Sequence, residues 1–216
     1  MNLRPFIALS LAILPACGPS QGDRQDAVDG YSEVVYATYD ASLTSAQAMK
    51  SDIDAFLAAP SAATLQAAQQ AWLEARDIYG QSEACRFYEG PIDNAENGPE
   101  GFINAWPMDE SDIDYIEVDG EVLYTGVINT PEVTISESEL RDLNEAAAED
   151  SSSTGWHAIE FLLWGQDLNP NGPGMRSHTD YIDGEGVNAD RRRAYLSLVT
   201  QMLIDDLSTL TTAWAP

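Results

Sequence analysis

Three long stretches of the chain place apolar residues three or four positions apart, which is the period of an amphipathic helix. The first covers residues 26–59 and stops at Pro60, the second covers 62–87, and the third covers 189–214. Each stretch is long enough for several helical turns and carries polar residues between its apolar ones. The pattern therefore predicts three long helices that each bury one face in a common core.

Two shorter helices are predicted in the second half of the chain. Ser136 and Glu139 have the spacing of a capping box, which predicts a helix over 136–149. The segment 154–165 is apolar on nearly every side, as is typical of a helix buried in a core. Together these patterns predict an all-α fold, an up-and-down four-helix-bundle-like domain over 26–216 with long irregular connections.

The connection that follows the second predicted helix is strongly acidic. Residues 87–140 contain fourteen Asp and Glu residues and no Lys or Arg. Within this segment the Asp119-Gly120 pair predicts the turn of a short β-hairpin. A run of acids is usually a solvated surface, but it can also line the mouth of a cation site.

The overall charge narrows the range of partners. The 216-residue chain has 36 Asp and Glu residues against 10 Lys and Arg, for a net charge of −26. Such a surface repels the phosphates of nucleic acids and anionic lipid headgroups, so no nucleic-acid partner is expected. It attracts cations instead.

The first residues, "MNLRPFIALSLAILPAC", are typical of a targeting segment rather than of the fold. Arg4 precedes an apolar run that is too short to span a bilayer, and small residues lead to Cys17. The segment resembles a bacterial lipoprotein signal peptide of residues 1–16 with a lipid on the Cys17 sulfur; a plain secretory signal cut near Ala16 is the alternative. Residues 17–25 would form a polar tether.

Either form of the signal places the mature chain outside the cytoplasm. Because Gly18 follows the cysteine instead of aspartate, we expect an anchor at the outer membrane, on the periplasmic side of the cell envelope. The membrane would then be a partner only through the lipid on Cys17. If Cys17 is acylated, Cys85 is a free and buried thiol, since the chain has two cysteines.

Several ionisable residues fall on apolar helix faces. Glu83 shares a stripe with aromatic residues of the second helix, and Asp206 lies among the apolar residues of the last one. An inward carboxylate costs several kcal/mol unless it is paired or ligated. For Glu83 the simple alternative is a salt bridge to Arg76 or Arg86.

The apolar segment 154–165 carries a histidine and a glutamate three residues apart. His157 and Glu160 lie about 60° apart around a helix, so their side chains project side by side. Carboxylates from facing helices would complete a metal site of the kind found in helix bundles, where first-row transition metals bind imidazole and carboxylate together. The alternative is a hydrogen-bonded pair with a structural role.

The stretch "GWHAIEFLLWGQDL" resembles the Gly-x-His-x-x-Glu signature of the imelysin-like family, carried here by Gly155, His157 and Glu160. The resemblance continues in the same order through nearly all of the mature chain, in the segments "AWLEARDIYGQSEACRFYEGPID", "WPMDESDIDYI", "GPGMRSHTDY" and "NADRRRAYL" to the end. It implies an all-helical fold in bacterial envelope proteins connected with iron uptake. The family is catalogued as metallopeptidases.

The resemblance also implies a set of site residues. His157 and Glu160 are the motif residues, and Glu83 and Asp93 come from matching segments as further metal ligands. Asp206 and Asp114 are additional candidates, and no catalytic residue is expected. Family members usually carry a second helical bundle, which this chain is expected to lack because it ends where the first bundle should end.

The predicted function is an envelope lipoprotein that binds a divalent or ferric metal ion, iron by preference with zinc as the alternative, in connection with metal uptake and with other envelope uptake proteins. A metallopeptidase is a second hypothesis. Zinc-protease helices of the His-Glu-x-x-His type supply two histidines, whereas Ala158 follows His157 here and Phe161 stands where the second histidine would fall. A structural or partner-binding bundle is the third hypothesis.

Overall fold

The computed structural model describes residues 18–148 and 150–216, so the predicted signal peptide and Cys17 lie outside the described residues. The helices are α1 (Gln21–Ala58), α2 (Ala62–Gly80), α3 (Glu100–Ile103), α4 (Gly126–Asn129), α5 (Glu137–Leu143), α6 (Gly155–Trp164) and α7 (Ala189–Ala213). The only strands in the described part of the chain are β1 (Ile116–Val118) and β2 (Glu121–Leu123). The predicted all-α fold class is confirmed. Among the described helices, none is both long and apolar enough to cross a membrane.

The core lies where α1, α2, α6 and α7 pack against one another. Helix α1 contributes a buried stripe at the predicted spacing, formed by Val35, Tyr39, Ala46, Met49, Ile53 and Phe56. Helix α6 is buried on nearly all sides, as its uniform apolarity predicts. The four helices therefore bring the His157–Glu160 segment against the centre of the molecule.

Helix α1 begins earlier than the sequence pattern indicates. The Ser20 hydroxyl accepts the backbone N–H of Asp23 at 3.1 Å, and the Asp23 carboxylate accepts the N–H of Ser20 at 2.9 Å. This capping box starts the helix at Gln21, so residues 21–25 are helical where a polar tether was expected. Amphipathic periodicity missed this turn because its residues are all exposed and polar.

Two other helices end earlier than expected. Helix α2 stops at Gly80 and continues as a 3-10 helix over Gln81–Cys85, where a helix to residue 87 was predicted. The tighter turn changes the direction in which Glu83 projects. Helix α5 stops at Leu143 instead of reaching residue 149. The backbone becomes extended at Asn144, whose side-chain amide donates to the carbonyl of Gly101 at 2.8 Å.

The predicted β-hairpin is present. Strands β1 and β2 pair antiparallel with Glu117 opposite Val122. Asp119 and Gly120 form the turn with φ of 54° and 82°, the left-handed backbone that a two-residue hairpin turn needs. The Glu117 N–H donates to Oε1 of Gln166 at 2.7 Å, which fastens the hairpin to the loop after α6.

The start of α6 is fixed by close backbone contacts. Gly155 has a φ of 79°, and a Cβ at this position would lie 2.4 Å from the carbonyl oxygen of Ile103. The Thr154 hydroxyl donates to the carbonyl of Phe102 at 3.0 Å. On the other side, the indole N–H of Trp72 donates to the carbonyl of Trp156 at 3.1 Å. These contacts hold α6, and with it His157, between α3 and α2.

Candidate functional site

His157 and Glu160 form a hydrogen-bonded pair on α6. Nδ1 of His157 lies 3.0 Å from Oε2 of Glu160. The His157 side chain is 17% exposed and that of Glu160 is 44% exposed. In the neutral imidazole, a carboxylate acceptor at Nδ1 places the proton on Nδ1 and leaves the lone pair on Nε2. Nε2 has no hydrogen-bond partner among the described residues. Metal-binding imidazoles use this arrangement, in which one ring nitrogen donates to a carboxylate and the other binds the metal.

His157 and Glu160 line a cleft of about 380 Å³. Four large aromatic side chains line it: Trp72, Trp106, Phe161 and Trp164. The Trp106 ring contacts the His157 imidazole with 4.7 Å between ring centroids and 51° between the ring planes, although Trp106 itself is 67% exposed. The indole therefore covers part of the imidazole, and both side chains line the cleft.

Two further acids that sequence reasoning missed, Glu110 and Asp167, line the same cleft. Burial raises the pKa of Glu110 above its ordinary value; the charge of Arg176 opposes this, and the charges of Asp109, Asp167 and Glu160 add to it. These carboxylates repel one another, so a bound cation would relieve the repulsion. Asp167 stands seven residues after Glu160, and that closeness in sequence was the one available signal.

The cleft does not contain a closed set of metal ligands. Within residues 18–148 and 150–216, no three His, Cys, Asp or Glu side chains lie close enough together to hold a metal ion. The cleft thus offers an imidazole–carboxylate pair, with other acids in its wall. Such a pair has the donor types that first-row transition metals accept.

Glu83 is engaged elsewhere. It lies on the 3-10 helix after α2, where its carboxylate accepts from Nη1 of Arg86 at 3.0 Å and from Nδ2 of Asn104 at 3.4 Å. Arg86 also pairs with Glu100 at 2.7 Å. The salt bridge to Arg86 that the sequence left open is therefore present, and none of the hydrogen bonds of Glu83 in the described chain reaches the motif residues.

Asp93 and Asp206 also have protein partners. Asp93 accepts the N–H of Gly90 at 2.9 Å and the N–H of Phe87, which shapes the loop after α2. Asp206 accepts two hydrogen bonds from Arg141, at 2.8 and 3.3 Å. Burial raises the pKa of Asp206, and the hydrogen bonds from Arg141 oppose that rise. In the described chain, these carboxylates hold a loop and a helix pair in place.

Asp114 is the centre of a buried ionic cluster. Its carboxylate accepts from Nε and Nη2 of Arg192 at 2.6 and 2.9 Å and from Nη1 of Arg176 at 2.8 Å. Burial opposes ionisation, but the hydrogen bonds from Arg192 and the charge of Arg176 outweigh it and lower the pKa of Asp114. The side chains of Asp114 and Arg176 are both 0% exposed. This cluster fastens α7 to the segment that precedes β1.

The family model of imelysin, labelled peptidase M75, matches residues 35–216. This chain belongs to the imelysin family. The matched range contains Gly155, His157 and Glu160, so the resemblance found in the sequence is confirmed.

A curated relative is similar over part of its length. Iron-regulated protein A of Synechococcus elongatus (strain ATCC 33912 / PCC 7942 / FACHB-805) is 32% identical over 159 residues, which are 70% of this chain and 35% of the relative. The chain therefore spans about a third of the length of that relative.

Proposed function

We propose that this imelysin domain binds iron in the cleft at His157, with Nε2 of the imidazole as the protein ligand that anchors the ion. The single observation that carries the proposal is the 3.0 Å bond between Nδ1 of His157 and Glu160, which leaves Nε2 without a partner among the described residues in a side chain that lines the cleft. A carboxylate behind a ligating imidazole fixes its tautomer and raises its basicity.

The donors fit a transition metal in type and fall short in number. Imidazole and carboxylate oxygen suit iron, zinc and manganese alike. Glu160 supports the imidazole from the Nδ1 side, and Glu110 and Asp167 add negative charge to the same cleft. The remaining coordination positions would be filled by water or by ligands that the metal brings with it. An exchangeable cargo ion suits such an open site better than a structural ion does.

The choice of iron is supported by the comparison with other proteins. The relative from Synechococcus elongatus is named for regulation by iron. The chain belongs to the imelysin family, and its own net charge of −26 attracts multivalent cations. On this basis we assign the domain a role in iron uptake.

The proposal includes a place in the cell envelope. Its support is the lipoprotein-like sequence that ends at Cys17, which would tether the domain to a membrane, at the outer membrane and on its periplasmic side, near other uptake proteins. Mass spectrometry of the N-terminal peptide from native cells would detect the lipid on Cys17. An unmodified or uncleaved N-terminus would contradict this part.

Thermal unfolding with and without metal tests the proposed function. A ligand at a hundred times its Kd stabilises the native state by about 2.7 kcal/mol, so ferrous iron should raise the Tm of the wild type. His157→Ala should abolish that rise and leave a folded, helical protein. The matched control is His178→Ala, which removes the other histidine of the chain and should preserve the rise.

A purely structural role for the pair gives the opposite pattern. In that case the wild type melts at the same temperature in chelator and in iron, and His157→Ala lowers the Tm equally in both. That result would contradict the proposed function.

A further inference from the structure

A second cleft of about 310 Å³ adjoins the first. The two clefts share Trp164, Gly165 and Gly174, so the end of α6 and the loop before Arg176 form a common wall. The second cleft lies beside the β-hairpin and is lined by Tyr115 and Glu117 on that side. A small ligand bound at the common wall is therefore close to both clefts.

The second cleft presents amide donors without acceptors. Oε1 of Gln166 accepts the N–H of Glu117 at 2.7 Å, and Oδ1 of Asn169 accepts the N–H of Asn171 at 3.1 Å. These bonds use the oxygen of each side-chain amide, so the NH2 groups are the free ends. Neither NH2 group has an acceptor among the described residues, and both side chains line the cleft.

A buried guanidinium lies behind the same wall. The Arg176 side chain is 0% exposed; Nη1 donates to Asp114, but Nε and Nη2 have no partner within the described chain. Gly165 lies against that edge, where a Cβ would be 3.4 Å from Nε and 3.7 Å from Nη2. The rings of Tyr115 and Phe161 lie 4.9 and 5.2 Å from the guanidinium carbon. Buried N–H groups without acceptors cost free energy, and an ordered water or a bound polar ligand would satisfy them.

The second cleft differs from the first in the groups that line it. Asp114 is shared between Arg176 and Arg192, and Asp180 lies farther from Arg176 at 3.4 Å. Glu117 is exposed at the rim. The first cleft is lined by acids and an imidazole, whereas the second offers N–H donors in front of a guanidinium. An acceptor-rich anionic group is the ligand that matches such donors.

We infer that the second cleft binds a carboxylate of a small organic chelator that carries the metal to His157. The ligand of the two clefts together is then a metal–carboxylate chelate: its metal lies at Nε2 of His157 and its free carboxylate accepts from Gln166 and Asn169, with Arg176 behind them. This inference rests on the proposed function. It also accounts for the small number of protein donors at the metal, because the chelator supplies the others.

The test uses a double variant, Gln166→Glu with Asn169→Asp. Each substitution keeps the oxygen that accepts a backbone N–H and replaces the free NH2 group by a charged oxygen. The matched control, Gln47→Glu with Asn97→Asp, makes the same change of charge at two exposed positions. Isothermal titration calorimetry on the purified protein would use ferric citrate, ferric acetohydroxamate (which has no carboxylate), citrate alone and ferrous iron alone.

Ferric citrate should bind the wild type and the control at least about tenfold more tightly than ferric acetohydroxamate does. The double variant should lose about tenfold or more in affinity for ferric citrate, while its affinity for ferrous iron should not fall, because added negative charge favours a bare cation. His157→Ala should weaken the binding of both ferric citrate and ferrous iron.

Other outcomes separate this inference from the proposed function. Equal affinity of the double variant and the control for ferric citrate would overturn the inference while leaving metal binding in place. So would tight binding of ferric citrate that is insensitive to His157→Ala, since the carboxylate would then bind without the bridge to the imidazole. Failure of ferrous iron to bind the wild type at all would instead overturn the proposed function.

Discussion

At the scale of single residues, the proposed metal site depends on which nitrogen of His157 is engaged by the protein. The spacing of His157 and Glu160 predicts that they share a helix face, and the structure adds that they bond through Nδ1. Trp106 and Glu110, which complete the surroundings of the imidazole, come from a segment without periodicity. No pattern in the sequence could place those two side chains beside α6.

Glu110 gives a test of the electrostatics of the cleft. Its pKa is raised by burial, so the folded state holds this carboxyl as a charged group less readily than the unfolded chain does. Stability from this group is present in acid and is lost as the pH rises through its folded pKa. Glu110→Gln should therefore raise the unfolding free energy at neutral pH by up to about 1 kcal/mol, a modest value because solvent screens a half-exposed group.

The same substitution should act in the opposite direction on metal binding. Removing one negative charge from the cleft weakens the attraction for a cation, so the affinity for ferrous iron should fall in Glu110→Gln. Glu96→Gln, at an exposed loop position, is the control for both effects. Urea denaturation at pH 7 and below pH 4, together with metal titration, would check this; indistinguishable behaviour of the two variants would contradict it.

At the scale of elements, the function depends on how firmly α6 is held at its first residue. Gly155→Ala would place a methyl group 2.4 Å from the Ile103 carbonyl oxygen at a φ of 79°. We expect a loss of about 2–4 kcal/mol in unfolding free energy, from backbone strain and overpacking together. Metal affinity should fall too, since His157 lies in the first turn of the same helix.

Gly30→Ala is the matched control for that loss. Gly30 lies within α1, and a Cβ there meets nothing within 4 Å. In an exposed helical position alanine should stabilise the protein by about 0.5–1 kcal/mol. Chemical denaturation followed by circular dichroism measures both variants. If Gly155→Ala were as stable as the wild type, the tight packing of α6 on α3 would be refuted.

The elements also show where sequence reasoning succeeds. The long helices α1 and α7 follow from apolar periodicity, because each buries a continuous stripe in the core. The direction in which the Glu83 side chain projects could not be predicted. The change from α-helix to 3-10 helix at Gln81 alters the angular position of the residues that follow. The salt bridge to Arg86 was recognisable only as one of two arginine alternatives, since both arginines project from the same side of an ideal helix as Glu83.

At the scale of the whole molecule, the buried charges are paired with one another in the core, whereas acids without a paired arginine among the described residues lie at the cleft. The core holds a closed ionic cluster in which Asp114 accepts from two arginines, so its charge is neutralised inside the protein. Acids that no arginine neutralises in the described chain include Asp167 at the mouth of the cleft. A net charge of −26 that attracts cations everywhere makes a specific site hard to recognise from binding alone. Comparing metal binding by the wild type and by His157→Ala removes this difficulty, because both proteins have the same acidic surface.

Equilibrium dialysis of the purified protein against ferrous iron, followed by metal analysis, tests the central claim most directly. At physiological ionic strength, which screens the exposed acids, the wild type should retain one ion per chain and His157→Ala should retain none. Retention should also decrease in mild acid, because protons compete with the metal for Nε2. Equal retention by wild type and His157→Ala at every pH would contradict the account, since the iron would then be bound by the acidic surface and not by the imidazole.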